Sequence, residues 1–121
     1  MGWPTLRYDD PNMKPIEDPR LKMKNKLERS YASYLNNLKM DGEIIDWRYE
    51  AFSLKLGFNC RYHFDFFVVT KDEFQIHETK GFMREDARVK LMASAASFPW
   101  FRFFLVKKAG RGFTIDEIKT G

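Results

Sequence analysis

The sequence predicts an α/β (α+β) fold in which a central mixed sheet of four to five strands is flanked by helices. Apolar residues recur three or four apart in residues 22–40 and 83–98, which is typical of helices, and every second residue in 45–56, 62–69 and 74–80, which is typical of strands. With 121 residues, of which 44% are hydrophobic and 31% charged, the chain forms one domain around one core.

Residues 1–20 hold four of the five prolines and show no apolar period, which predicts an extended arm ahead of a single domain spanning 21–121. Trp3, Leu6 and Tyr8 would allow the arm to dock on the domain or on a second subunit. Its basic residues would instead allow it to lie along a nucleic acid backbone. An irregular tail is an equally good interpretation.

The first helix is predicted over residues 22–40 and ends at Asp41-Gly42. Its apolar stripe has spacings of four, four and three: Leu27, Tyr31, Leu35 and Leu38. Glu28 lies beside the stripe near the amino-terminal end, where a carboxylate suits the helix dipole. Glu28 is therefore either an exposed helix residue or a residue that faces a functional site.

Three strands follow, and the short polar turns between them predict an antiparallel meander. Asp65 lies on the second strand, and Glu78 and Lys80 lie two residues apart on one face of the third, beyond the apolar residues Phe74 and Ile76. Antiparallel pairing brings Asp65 near Glu78. We expect the site to lie where these two strands meet the first helix.

Other polar residues on these strands have simpler interpretations. His63 and His77 are expected to lie opposite the core-facing residues, exposed to solvent or in contact with DNA. Glu50 is either a further acidic contributor or a surface charge at a strand edge. Cys60 is the only cysteine, so the chain has neither an internal disulfide nor a Cys/His cluster for zinc.

A second helix is predicted over 83–98 and ends at Pro99. It begins with a basic junction that contains Arg84, Arg88 and Lys90. The chain then continues as a buried strand at 100–106, a basic turn that could grip phosphate, and a last strand at 113–118.

The acidic residues and the lysine suit metal-assisted hydrolysis of a phosphodiester. Mg²⁺ commonly takes one or two protein carboxylates together with water and substrate oxygens, and Asp65 and Glu78 supply that minimum. Lys80 could hold the attacking water and offset negative charge that builds up in the transition state.

The pattern of Asp65, twelve further residues and then Glu78-Thr79-Lys80-Gly81 resembles the PD-(D/E)xK nuclease superfamily. The resemblance covers about residues 22–106, and the chain looks like the small, single-domain, phage-encoded endonucleases. It is also similar in size and motif order to Holliday junction resolvases. The residue before Asp65 is Phe64 where the family has proline, so we expect the strand to lack the family's bend.

The resemblance implies a restriction-endonuclease-like core and a Mg²⁺-dependent nuclease, with Mn²⁺ able to substitute, that acts on branched or otherwise structured DNA. It implies catalytic roles for Asp65, Glu78, Lys80 and Glu28. The implied metal site adds the carbonyl of Thr79 to the three acids. The basic helix implies the DNA-binding residues: Arg84, Arg88 and Lys90.

The formal net charge of +4 permits a polyanionic partner but does not establish one. The sequence contains no run of 18 apolar residues and no signal peptide, which predicts a protein without a membrane partner, in the cytoplasm of the host if it is phage-encoded. A homodimer would suit a two-fold DNA substrate. Two alternatives stay open: a nucleic-acid-binding module that keeps the nuclease fold without turnover, and a structural phage protein.

Overall fold

The computed structural model describes residues 23, 25–81 and 83–119, so the predicted arm at 1–20 lies outside the described residues. The described chain folds into two helices and seven strands. In order these are α1 (Lys26–Met40), β1 (Asp46–Tyr49), β2 (Ser53–Gly57), β3 (Cys60–His63), β4 (Phe66–Val69), β5 (Phe74–Thr79), α2 (Glu85–Ser97), β6 (Arg102–Ala109) and β7 (Gly112–Ile118).

Five strands form one mixed sheet in the order β1, β4, β5, β6, β7. β5 and β6 are parallel, as a crossover through α2 allows, and the other neighbouring pairs are antiparallel. β2 and β3 form a separate antiparallel hairpin. The predicted class, an α+β fold with a central mixed sheet flanked by helices, is confirmed.

The sequence predicted a single apolar core, but each face of the central sheet carries its own core. On the first face, α1 packs against β1, β4 and β6 through Tyr31, Ala32, Leu35, Trp47, Phe66, Val68 and Val106. On the second face, α2 and the β2–β3 hairpin pack against β5 and β6 through Leu54, Tyr62, Phe64, Ile76, Leu91, Ala95 and Phe103. Both helices are thus held by an apolar stripe, as predicted.

The predicted strands at 45–56 and 62–69 are each broken in two. Glu50, with a φ of 47°, turns the chain between β1 and β2, and Phe64 and Asp65 separate β3 from β4. The expectation that Phe64 leaves the strand without a bend was therefore wrong. Every second residue stays buried across the break, but the two phenylalanines lie in different cores. Phe64 lies in the core beneath α2, called the α2-side core, and Phe66 lies in the core beneath α1, called the α1-side core. Alternation in sequence cannot reveal such a change of face.

The predicted meander is nevertheless present. β1, β4 and β5 are consecutive antiparallel neighbours in the sheet, and the β2–β3 hairpin is inserted between the first two. Two aromatic side chains that the strand pattern places among the buried residues are exposed, because they lie at the end of the sheet where β5 and β6 begin. Phe74 is 49% exposed and Trp100 is 74% exposed.

His77 is buried, with 6% of its surface exposed, so its predicted exposure was wrong. The side of β5 opposite Ile76 lies under α1, where the Tyr31 hydroxyl donates to His77 Nδ1 at 2.5 Å. His77 Nε2–H donates to Gln75 Oε1 at 2.8 Å, which fixes the neutral tautomer. His63 is exposed, as predicted.

Neither helix in the described part of the chain has the length and apolar character needed to cross a membrane.

The buried imidazole predicts a specific pH dependence of stability. Burial lowers the pKa of His77 from 6.5 to about 4. Between these two pH values His77 binds a proton in the unfolded chain but not in the folded chain. The free energy of unfolding therefore falls as the pH drops from 6.5 to about 4, by up to about 3 kcal/mol. His77→Gln should remove this component, so that its Tm approaches or passes that of the unmodified protein on acidification.

The measurement is thermal melting from pH 7 to pH 4 for both proteins, with His63→Gln as the control for an exposed histidine. A constant Tm difference between His77→Gln and the unmodified protein would show that His77 titrates normally.

Candidate active site

The carboxyl end of β5 meets the start of β4, and this junction carries the candidate site. The β4–β5 register pairs Phe66 with His77, which places Asp65 beside the end of β5. Asp65 Oδ2 accepts two hydrogen bonds from Thr79, one from its backbone N–H and one from its hydroxyl, each at 2.9 Å. The predicted approach of Asp65 to the end of the third strand is therefore present, and the Thr79 side chain orients Asp65.

Glu78 is the most enclosed acid of the site, with 4% of its surface exposed. Its Oε2 accepts a hydrogen bond of 2.5 Å from the Tyr62 hydroxyl on β3. Its Oε1 forms an ion pair of 3.2 Å with Lys80 Nζ. Burial and the charge of Glu78 raise the pKa of Tyr62, so this hydroxyl stays protonated and serves as a donor.

Both acids hold protons more tightly than free carboxyl groups do. Burial and then the charge of Glu78 raise the pKa of Asp65 to about 7, although the Thr79 donors oppose the shift. Burial raises the pKa of Glu78 despite the Tyr62 hydrogen bond and the Lys80 charge. The positive charge of Lys80 therefore does not fully offset the burial of the two acids.

Lys80 is a cation in this site. Burial acts to lower its pKa, but the charges of Glu78, Asp65 and Glu28 outweigh burial, and the pKa is raised. Lys80 therefore donates hydrogen bonds at neutral pH and does not act as a general base.

Glu28 approaches the same cluster from α1. Its Oε2 accepts a hydrogen bond of 2.7 Å from Tyr49, the last residue of β1. Burial raises the pKa of Glu28, Tyr49 opposes the shift, and the charges of Asp65 and Glu50 raise it further. Glu28 is therefore partly buried and close enough to Asp65 for their charges to interact. Glu50 is near enough to contribute charge, and its N–H donates to the Asp65 carbonyl at 2.8 Å.

The donor set suits a hard divalent cation. Asp65 and Glu78 are carboxylates whose pKa values are raised mainly by burial, and a cation would stabilise their ionised forms. Within 25–81 and 83–119, no three His, Cys, Asp or Glu side chains converge closely enough to enclose an ion. Two carboxylates with water are sufficient for Mg²⁺.

A cavity of about 250 Å³ opens beside Glu78 and Lys80, between the β2–β3 hairpin and α2. Among its lining residues are the cations Arg61 and Lys90. Arg88 instead lines a separate groove with Leu105 and Lys107. Of the three predicted DNA-binding residues, Lys90 alone lines the cavity.

Arg84 lies at the cap of α2, with its Nε 3.7 Å from Asp86 Oδ1. Sequence reasoning missed Arg61, Tyr62 and Tyr49 as residues of the site. Tyr62 alone offered a signal, since it precedes Asp65 by three residues, but nothing in the sequence pairs it with Glu78.

No protein-family model, curated protein sequence or solved structure matches this chain.

The raised pKa of Asp65 predicts how metal and pH act on stability. Folding raises this pKa from 3.8 to about 7, so the folded state binds more protons in that window and metal-free stability falls as the pH rises through it. Asp65→Asn removes the buried charge and keeps an acceptor for Thr79. At pH 8 it should melt above the unmodified protein without metal and should lose the rise in Tm that Mg²⁺ gives the unmodified protein.

Melting curves at pH 8, with EDTA and with Mg²⁺, provide the measurement. Asp72→Asn, in the exposed turn before β5, should behave like the unmodified protein. An equal rise in Tm with Mg²⁺ for Asp65→Asn and the unmodified protein would show that Asp65 does not hold the metal.

Proposed function

We propose that the protein is a metal-dependent deoxyribonuclease that hydrolyses phosphodiester bonds, as its resemblance to the PD-(D/E)xK superfamily implies. One observation carries the proposal: Asp65 and Glu78, each with a raised pKa, share the end of β5 with the protonated Lys80. A surface charge cluster would not require buried acids at a cost in stability. Raised pKa values in a cleft are typical of functional sites.

The acids of the site would bind a cation, and Lys80 would stabilise the negative charge that develops in the transition state. Asp65 and Glu78 would hold Mg²⁺ or Mn²⁺, with Glu28 in contact through water and the Thr79 carbonyl as a further predicted ligand. The bound cation would supply Lewis-acid chemistry, which activates water and neutralises phosphate charge. Thr79 and Tyr62 keep the two carboxylates oriented through hydrogen bonds.

Lys80 completes the machinery. It remains protonated, so its ammonium group donates hydrogen bonds to the attacking water or to a non-bridging phosphate oxygen. A fixed positive charge in a partly buried site stabilises negative charge that develops in the transition state more strongly than solvent does.

The surroundings of the site favour a polyanionic substrate. Arg61 and Lys90 line the cavity beside the acids. β6 pairs with the end of β5 at Val106 and continues to Ala109, so the basic β6–β7 hairpin extends past the site. We infer that DNA lies across this end of the sheet. The resemblance adds the proposal of a phage endonuclease in the host cytoplasm, acting on branched DNA as a monomer or homodimer.

Removing Lys80 should slow the chemical step. Lys80→Ala should cut the single-turnover rate by roughly 100-fold or more, because deleting one preorganised charge commonly costs about 3 kcal/mol. Its metal-free Tm should fall, since the buried Glu78 carboxylate loses its partner. Cleavage by the unmodified protein should need Mg²⁺ or Mn²⁺ and stop in EDTA.

Lys71→Ala, in the exposed turn before β5, is the matched control and should cleave normally. If Lys80→Ala stays folded and cleaves at the unmodified rate, the nuclease proposal fails and the non-catalytic binding module becomes the better hypothesis.

The cavity lined by Lys90 and the separate groove lined by Arg88 lead to a prediction about DNA affinity. Lys90→Ala should weaken DNA binding and reduce the slope of log affinity against log salt by about one, because it removes a cation at the cavity. Arg88→Ala, from the same helix but the other groove, should have a smaller effect. The measurement is binding in EDTA at several salt concentrations. A larger loss for Arg88→Ala would place the DNA along the other groove.

A further inference from the structure

The β2–β3 hairpin is connected to the proposed catalytic site by packing, by a hydrogen bond and by the chain itself. Leu54, Leu56 and Tyr62 pack in the α2-side core and fix the hairpin to the body of the domain. The Tyr62 hydroxyl bonds Glu78, and β3 leads within two residues to Asp65. The position of the hairpin relative to the two acids is therefore set by covalent and hydrogen-bonded connections.

Phe58 lies at the tip of this hairpin with 91% of its surface exposed. It is the most exposed of the large hydrophobic side chains in the described part of the chain. Asn59 adopts a φ of 59°, a left-handed conformation that closes the two-residue turn formed by Phe58 and Asn59. An exposed phenylalanine on a tight turn forgoes the stabilisation that burying its ring would give.

The outer face of the hairpin is cationic. Lys55 and Arg61 are cross-strand partners, so their side chains share one face, and both are exposed. Arg61 also lines the cavity that holds Glu78 and Lys80. Positive charge therefore continues from the candidate site along the hairpin toward Phe58.

The length of the hairpin sets the reach of Phe58. Three residues separate Tyr62, which touches Glu78, from Phe58, so the two lie at most about 13 Å apart, the length of four steps along an extended strand. Successive nucleotides of stacked DNA rise 3.4 Å, so this distance allows at most about four nucleotides between a base at Phe58 and a phosphate at the site.

We propose that the β2–β3 hairpin selects DNA that contains unstacked bases, with Phe58 stacking on such a base and Lys55 and Arg61 contacting the intervening phosphates. An aromatic ring on a cationic surface stacks on nucleobases without regard to sequence. In an uninterrupted duplex the base faces are already covered, so the contact requires a branch, gap, flap or frayed end. The inference rests on the proposed nuclease function and names the structural class of its substrate.

The test compares binding of a duplex with binding of the same sequence carrying a bulge or a four-way branch, all in EDTA so that nothing is cleaved. Phe58→Ala should lower affinity for the bulged and branched DNAs by roughly 5- to 150-fold, the range for one base–aromatic stack, and change duplex binding little. Phe58→Trp should retain the preference. Phe74→Ala, at the other end of the sheet, is the exposed-aromatic control and should match the unmodified protein.

A fluorescent adenine analogue placed at each unpaired position provides a direct readout. Its emission should be quenched by the unmodified protein and not by Phe58→Ala. Lys55→Ala should weaken binding to all the DNAs alike, since phosphate contacts are common to them.

Failure of this inference can be told from failure of the nuclease proposal. If the unmodified protein cleaves DNA with Mg²⁺ but Phe58→Ala keeps the full preference for bulged and branched DNA, the hairpin does not select the substrate and the nuclease proposal stands. If the unmodified protein binds every DNA equally, Phe58 serves another contact, such as a protein partner, and the inference is overturned. If no DNA is bound or cleaved, both proposals fail.

Discussion

The site depends on two mutually repelling carboxylates that the fold holds together at the end of β5. Asp65 and Glu78 gain hydrogen bonds from Thr79 and Tyr62, and Glu78 gains the charge of Lys80. These contacts do not offset burial completely, because both acids retain raised pKa values. Folding therefore places net negative charge where solvent cannot neutralise it, and the two sheet-face cores must stabilise the domain against this cost.

The change of face at Phe64 and Asp65 is the structural device that makes this arrangement possible. Phe64 is buried in the α2-side core and Phe66 in the α1-side core, so the chain passes from one face of the central sheet to the other where β4 begins. Asp65 lies where the chain changes face, outside both β3 and β4. A residue within a regular strand would instead point to one face of the sheet. Its oxygen is thereby free to meet Thr79 at the end of β5. The bend at Asp65 therefore forms without a proline, because Phe64 and Phe66 are buried on opposite faces.

The sequence allowed the grouping of the acidic residues to be predicted, because an antiparallel pair with a short turn and the two-residue period of a strand are local rules. It did not allow the break before Asp65, the burial of His77 or the Tyr62 contact with Glu78 to be predicted, since each depends on what covers a given face. The direction of Arg88 was also hidden. The apolar stripe of α2 identified its inward face, which Leu91 and Ala95 occupy, but it did not reveal which groove beside that face Arg88 lines.

Charge balance links cation and DNA binding in the proposed function. With Asp65, Glu78 and Glu28 ionised, Lys80 neutralises one of three negative charges, so the bare site repels a phosphate although the whole chain carries a net charge of +4. A cation held by Asp65 and Glu78 would reduce that repulsion and would add an electrostatic attraction for phosphate. Each ligand therefore raises the affinity for the other by the same factor, as thermodynamic linkage requires. In the proposed function, Arg61 and Lys90, which line the cavity beside Glu78 and Lys80, would supply the part of DNA affinity that does not depend on metal.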